Sequence, residues 1–392
     1  MGRVVAMERG VKGSGEERLL THPVVLLILS AFASFFGYQL LLSVIPLYAS
    51  RIGGGNTGAG LTTGLFMLST VLTQIQMPRI LPRLGYRLSL VSGLVFLGLP
   101  ALAYPFTEAL VPVLTVTLAR GVGFGIVTVL FSALIAELAP PGRRGEAMGV
   151  LGISITIPTI FCNSLGLWLA HHAGYGVTFL LGAVPLLGIP AAAAIQAPAP
   201  RTKEQTDSFF VGLRRGDLLR MIILFTTGTM ALGLFFTFLP IFHAGSGVYS
   251  ATAALLVAGA SSTLTRWWAG RFGDRHDPRA LLAPGMLTGA IGIALLTSGG
   301  PLLLLGALLF GSGLGAVQNS TLLVVLSRVS RQEYGLASAL WNAAFDGGTG
   351  IGAFLFGLVI SGWGFPPAFY LCALSLVCAA LIVPLDRRRL PS

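Results

Sequence analysis

Apolar runs of about 20 residues follow one another along nearly the whole chain, at 23–48, 58–77, 88–106, 109–138, 147–171, 174–196, 219–243, 250–268, 280–299, 301–327, 334–362 and 365–385. That is the length an α-helix needs to cross a bilayer. Hydrocarbon offers no water to backbone N–H and C=O groups, so spans this long must satisfy those groups internally, as helices. The fold class that follows is an all-α membrane protein with 12 transmembrane helices. Charged residues make up only 10% of the chain and hydrophobic ones 54%, which leaves too little polar surface for a soluble domain. The net charge of +11 raises the question of nucleic acid. The basic residues, however, fall into short clusters between apolar runs, with no patch of interleaved aromatics, so no nucleic-acid partner is expected.

Two of these basic clusters repeat each other. Pro78-Arg79-Ile80-Leu81-Pro82-Arg83-Leu84-Gly85-Tyr86-Arg87 has a counterpart in Gly270-Arg271-Phe272-Gly273-Asp274-Arg275-His276-Asp277-Pro278-Arg279, displaced by 270 − 78 = 192 positions. Ile45-Pro46-Leu47-Tyr48 likewise matches Leu239-Pro240-Ile241-Phe242, displaced by 240 − 46 = 194. The second half thus reads as a diverged copy of the first, and duplicated membrane proteins are usually transporters. The organisation expected is a polar segment at 1–22, a six-helix half at 23–196, a linker at 197–218, a second six-helix half at 219–385 and a tail at 386–392. Pro198, Pro200, Arg201, Lys203, Glu204, Arg214 and Arg215 give the linker the character of a cytoplasmic connection. The first run is too long for a signal-peptide core, and no small-residue cleavage site follows it. Arginines gather on alternate connections while the opposite ones hold Arg51 alone, so the positive-inside rule places both termini in the cytoplasm of a cell-membrane protein.

At these paired turns the chain resembles the major facilitator superfamily, whose loops between helices two and three, and eight and nine, carry a Gly-x-Leu-Ala-Asp-Arg-x-Gly-Arg-Arg pattern. The second copy keeps Gly270, Asp274, Arg275 and Arg279; the first keeps Arg83, Gly85 and Arg87 but has Pro78 for Gly and Pro82 for Asp. The resemblance implies that these residues latch the cytoplasmic ends of the two halves in the outward-open state. Glu137, near Arg143 and Arg144, is a candidate for the missing acid or else a solvated helix-end carboxylate. Arg120-Gly121-Val122-Gly123-Phe124-Gly125 is similar to the family's Arg-containing fourth-helix motif. Gly149 and Gly166 fit its antiporter pattern loosely, with Cys162-Asn163 in place of Gly-Pro and Pro158 one turn earlier. The family's cavity is lined by helices one, four, seven and ten. This implies Phe35, Tyr38, Gln39, Arg120, Phe235, Phe236, Gln318 and Asn319 as substrate-binding residues, a lining suited to an amphiphilic organic molecule.

Asp346 is the only carboxylate well inside any apolar run. Asn342, Asp346 and Gly350 recur every four residues and share one helix face. An acid in that setting is a functional candidate by default, here for proton coupling together with Asn342; permanent structural pairing with Asn342, a backbone group or Arg120 is the other reading. Cys162, Cys372 and Cys378 lie in apolar stretches and read as inert core residues. No Ser-His-Asp set, phosphate loop or metal-ligand spacing points to an enzyme, a cofactor or a metal, and the His171-His172 doublet has no carboxylate or cysteine nearby. The function expected is secondary transport by alternating access, in the form of proton-coupled efflux from a monomer, with a small-molecule substrate, protons and the lipid bilayer as partners. Metabolite uptake, metallophore export and a non-transporting membrane sensor or assembly protein on the same scaffold are the alternatives.

Overall fold

The computed structural model describes residues 21–139, 143–196, 215–244, 250–330 and 333–383. The expected tail, nearly all of the polar N-terminal segment and most of the linker lie outside the described residues. Every regular element described is helical. The part before the linker comprises α1 His22–Leu42, α2 Val44–Ala49, α3 Gly55–Gly98, α4 Leu110–Leu138, α5 Arg144–His172, α6 Gly174–Leu181 and α7 Ile189–Ala194. The part after it comprises α8 Gly216–Phe242, α9 Ala251–Gly273, α10 Leu282–Leu295, α11 Pro301–Ser327, α12 Tyr334–Trp363 and α13 Phe365–Ile382.

Local chemistry sets the breaks. Pro46 has no N–H for the Leu42 carbonyl, and α1 ends at Leu42, with α2 continuing the same run after Ser43. The Ser250 hydroxyl caps α9 by accepting from the Ala253 N–H at 3.3 Å, and Asp277 accepts from the Arg279 N–H at 2.9 Å to start the short 3-10 turn Pro278–Leu281. The first basic cluster is more helical than a turn would be. Pro78 and Pro82 sit inside α3, and the one non-helical residue is Gly85, at φ 73° and ψ 168°, a conformation glycine adopts without penalty.

Helix contacts show that the chain reverses there. Gly121 of α4 packs against Phe66, and Gly125 against Thr70, so the first arm of α3 runs parallel to α4. Gly123 packs against Gly93 and Phe96, while Gly93 packs against Ile126 and Val127, so the second arm runs antiparallel to α4. The later part repeats the arrangement. Gly311 meets Ala258 and Gly315 meets Ser262, making α9 and α11 parallel; Gly292 meets Phe310 and Gly285 meets Val317, making α10 and α11 antiparallel. Burying apolar side chains gains little where the alternative is lipid, so close approaches at glycine, against backbone or side chain, contribute to holding the helices together.

Nine stretches among the described residues are long and apolar enough to cross a membrane. The first, His22–Phe106, contains three of the expected runs, and the helix Ala251–Gly273 is not one of the nine because Ser261, Ser262, Thr263 and Arg266 lower its hydropathy. The nine stretches do not by themselves confirm twelve crossings.

The parts before and after the linker meet along two seams. In one, the first arm of α3 runs antiparallel to α12: Thr57 Oγ1 and Ser361 Oγ lie 2.9 Å apart, Gly60 faces Ala353, and Gly64 faces Gly350. In the other, Gly259 of α9 meets Ile160 of α5. Thr63 and Thr237 add a hydroxyl pair at 2.9 Å. These contacts lie toward the end of the bundle opposite the basic turns.

Candidate functional site

Asp346 of α12 is buried, 6% exposed, where α12 crosses the first arm of α3. Its Oδ2 accepts a hydrogen bond from Gln74 Nε2 at 2.8 Å. The same amide nitrogen donates to Thr128 Oγ1 of α4 at 3.2 Å, and Thr128 donates in turn to the Phe124 and Gly125 carbonyls. One hydrogen-bonded path therefore runs from the later part of the chain into two helices of the earlier part. Asn342 takes no part in it: its side chain is exposed and donates to the Ser338 carbonyl at 2.9 Å. Gly350, on the same face, packs on Met67. Gln74 was not among the expected site residues. Its signal was available, an amide inside the second apolar run, at the position matching Arg266 in the repeat.

Arg120 is 2% exposed and spans three elements. Nε donates to the Leu97 carbonyl at 3.1 Å and a terminal nitrogen donates to the Gly37 carbonyl at 3.2 Å. Its guanidinium lies 5.9 Å from the Phe66 ring centre and 5.8 Å from that of Tyr104. The Leu97 carbonyl is available because the helix tightens into the 3-10 segment Leu99–Phe106, where the next donor position is Pro100, which has no N–H. Arg120 also borders a small recess with Tyr38, Thr62, Thr63, Phe66, Tyr104 and Thr117.

The other expected lining residues divide between this recess and the packing around it. Tyr38 stacks on Phe124 with ring centres 3.9 Å apart, and Phe35 meets Phe124 edge-on at 5.6 Å. Gln39 donates to Thr159 Oγ1 of α5 at 3.0 Å, leaving its carbonyl oxygen buried without a donor. Phe235 is 1% exposed between Phe236 and Phe310, inside the later part. Gln318 is buried, and Asn319 stands against Gly270 of α9 with its Nδ2 buried and without an acceptor.

At the basic end, the expected latch residues do not form one cluster. Arg279 pairs with Asp277 at 2.7 Å and holds that carboxyl below the usual carboxylate range. Arg215 pairs with Glu333 at 2.7 Å and donates to the Arg328 carbonyl, tying the start of α8 to the start of α12. Arg143 pairs with Glu146. Each of these ion pairs lies within one part of the chain. Glu137, Asp274 and Arg275 have no ion-pair partner among the described residues, Arg83 and Arg87 flank the Gly85 reversal, and Gly270 packs on Asn319.

The family model described as Major Facilitator Superfamily matches residues 27–328 and 260–391 of this chain. An MFS-type transporter of Escherichia coli, YhhS, is 26% identical over 386 residues, covering 94% of this chain and 93% of that protein. An MFS-type transporter of Methanocaldococcus jannaschii is 28% identical over a shorter stretch of 134 residues, 34% of this chain and 35% of its own length. Among solved structures, the nucleoside transporter NupG superposes with a TM-score of 0.78 at 14% identity, over 93% of this chain and 100% of that one, a likeness of fold.

Proposed function

The chain belongs to the major facilitator superfamily, and on that premise we propose that it is a proton-coupled secondary transporter that exports an amphiphilic organic solute by alternating access. It is a multi-pass membrane protein of transporter fold. Residues 23–196 and 219–385 act as the two rocking halves of a monomer in the cell membrane, with both termini cytoplasmic. The basic end is then the cytoplasmic one, and the packed end is external.

One observation carries the coupling: a buried carboxylate, Asp346, bonded across the seam between halves to a neutral amide, Gln74, and to no cation among the described residues. A charge in that position is costly, and rocking of the halves must stretch or break the bond that compensates it. The proton on Asp346 is thereby tied to the conformational step, which is the link that coupling requires. Asn342, one turn nearer the basic end and exposed, suits a role at the mouth of the proton's path. The short external connections, similar to the efflux branch of the family, support export as the direction.

The test is proton movement in acidified inside-out vesicles challenged with a panel of amphiphilic compounds and chelators. Wild type is expected to alkalinise the lumen with an active compound. Asp346→Asn, which keeps the shape and can still pair with Gln74, is expected to lose proton movement yet retain substrate exchange. Undiminished proton movement in the variant sinks the assignment of Asp346.

A further inference from the structure

The repeat and the helix register together point to a site for a negative charge on α9. Arg266 follows Gln74 by 266 − 74 = 192 positions, the displacement of the basic turns. In the first copy, Met67 packs on Gly350, and two turns further on Gln74 meets Asp346. In the second, Gly259 packs on Ile160 of α5, and Arg266 stands two turns further on, on the same face. It therefore looks across the seam toward α5, nearer the basic end. At that level the face of α5 that carries Ile160 continues through Ile153, Thr156 and Ile157, with no acid. An amide facing a carboxylate in one copy is replaced by a guanidinium facing none in the other.

Three further facts agree. Arg266 is exposed at the protein surface rather than packed into the core. It has no hydrogen-bond or ion-pair partner among the described residues, whereas Arg120 is committed to two backbone carbonyls. The parallel register of α9 with α11, in which Ala258 meets Gly311 and Ser262 meets Gly315, brings Asn319 level with Arg266. The Asn319 amide nitrogen lies 3.4 Å from where a Cβ on Gly270 would stand, one turn along the Arg266 face, and lacks an acceptor. Two sets of donors without an acceptor among the described residues thus stand at one level of the bundle.

We propose that Arg266 and Asn319 form the anion-recognising end of the central cleft, so that the transported solute carries an oxyanion, a carboxylate or a phosphate. The guanidinium supplies a planar fork for two oxygens and Asn319 a third donor. Solute charge then takes the place in the second seam that Asp346 holds in the first. This inference rests on the transporter reading and specifies its substrate class.

The experiment uses the purified full-length chain in lipid nanodiscs, with thermal unfolding followed in the presence of benzoate, phenyl phosphate, benzyl alcohol or benzylamine. The two anions are expected to stabilise wild type while the neutral and cationic analogues do not; the stronger of benzoate and phenyl phosphate tells which oxyanion is preferred. Arg266→Gln is expected to weaken the anion effect roughly tenfold or more. Arg266→Lys is expected to retain part of it, and Asn319→Ala to weaken it less, which keeps the test open if one variant fails to fold. Absence of any anion-specific stabilisation in wild type, or an unchanged response in Arg266→Gln, overturns the proposal. The vesicle assay separates it from the reading it rests on. Transport of a cationic compound that ignores Arg266→Gln leaves the transporter and removes the anion site. Arg266-dependent anion binding without substrate-driven proton movement leaves the site and removes the coupling.

Discussion

Gly60→Leu is expected to abolish transport while leaving a folded protein whose external end no longer closes. A Cβ on Gly60 would stand 2.5 Å from the Ala353 carbonyl oxygen and 3.4 Å from the Gly357 Cα, so the obstacle is backbone and cannot rotate away. The contact joins α3 to α12, across the two halves, and parting the halves relieves it without disturbing either half's own packing. Overpacking of this kind costs about 1–3 kcal/mol where it can relax, and about 3 kcal/mol changes the ratio of two states roughly a hundredfold. The readout is labelling by an impermeant maleimide of a cysteine placed at Thr62, which borders the recess near Arg120, after replacement of Cys162, Cys372 and Cys378. External labelling should rise in the Gly60→Leu background. Gly123→Leu is the contrast: its Cβ would meet the Gly93 carbonyl oxygen at 2.7 Å inside the N-terminal half, where no alternative state offers relief. That variant should fail to accumulate as folded protein. Normal transport by Gly60→Leu would show that closure of this seam is not part of the cycle.

The same distinction explains how much of the molecule was legible in the sequence. Lipid forces long apolar segments into helices, so the runs could be read directly, and the duplication showed in the basic turns and the Pro46 and Pro240 segments. Glycine at position 85 could be seen, but that it alone makes the reversal, between helices containing Pro78 and Pro82, depends on how the two arms of α3 grip α4. The bond between Gln74 and Asp346 joins residues 272 positions apart and requires two helices to be rotated toward each other, which periodicity in one helix cannot specify. Asp346 was found because a carboxylate in an apolar run has few innocent explanations; Gln74, being neutral, gave a weaker signal. Arg120 and Arg266 show the opposite difficulty. A sequence shows a charge within the membrane but not the acceptors around it, and those acceptors separate an arginine bonded to backbone carbonyls from one left open.

Arg120→Lys is expected to destabilise the protein more than Arg120→Met does. The guanidinium is buried among neutral groups, so its desolvation is offset by the bonds to the Leu97 and Gly37 carbonyls and by the Phe66 and Tyr104 rings. A hydrogen bond to a charged group contributes about 1.5–3 kcal/mol, and a desolvated contact with an aromatic face about 0.5–2 kcal/mol. Lysine keeps the charge and its burial, but its compact ammonium cannot span carbonyls on two different helices. The expected loss is about 2–5 kcal/mol. Methionine leaves the Leu97 carbonyl unsatisfied, since Pro100 cannot serve it, but removes the buried charge and fills much of the space, so the loss should be about half as large. Thermal unfolding of the purified variants, in one lipid and at one pH, decides the order. If lysine is tolerated and methionine is not, charge rather than geometry is what this position needs. Arg120 would then resume its place beside Arg266 as a second cation for the solute.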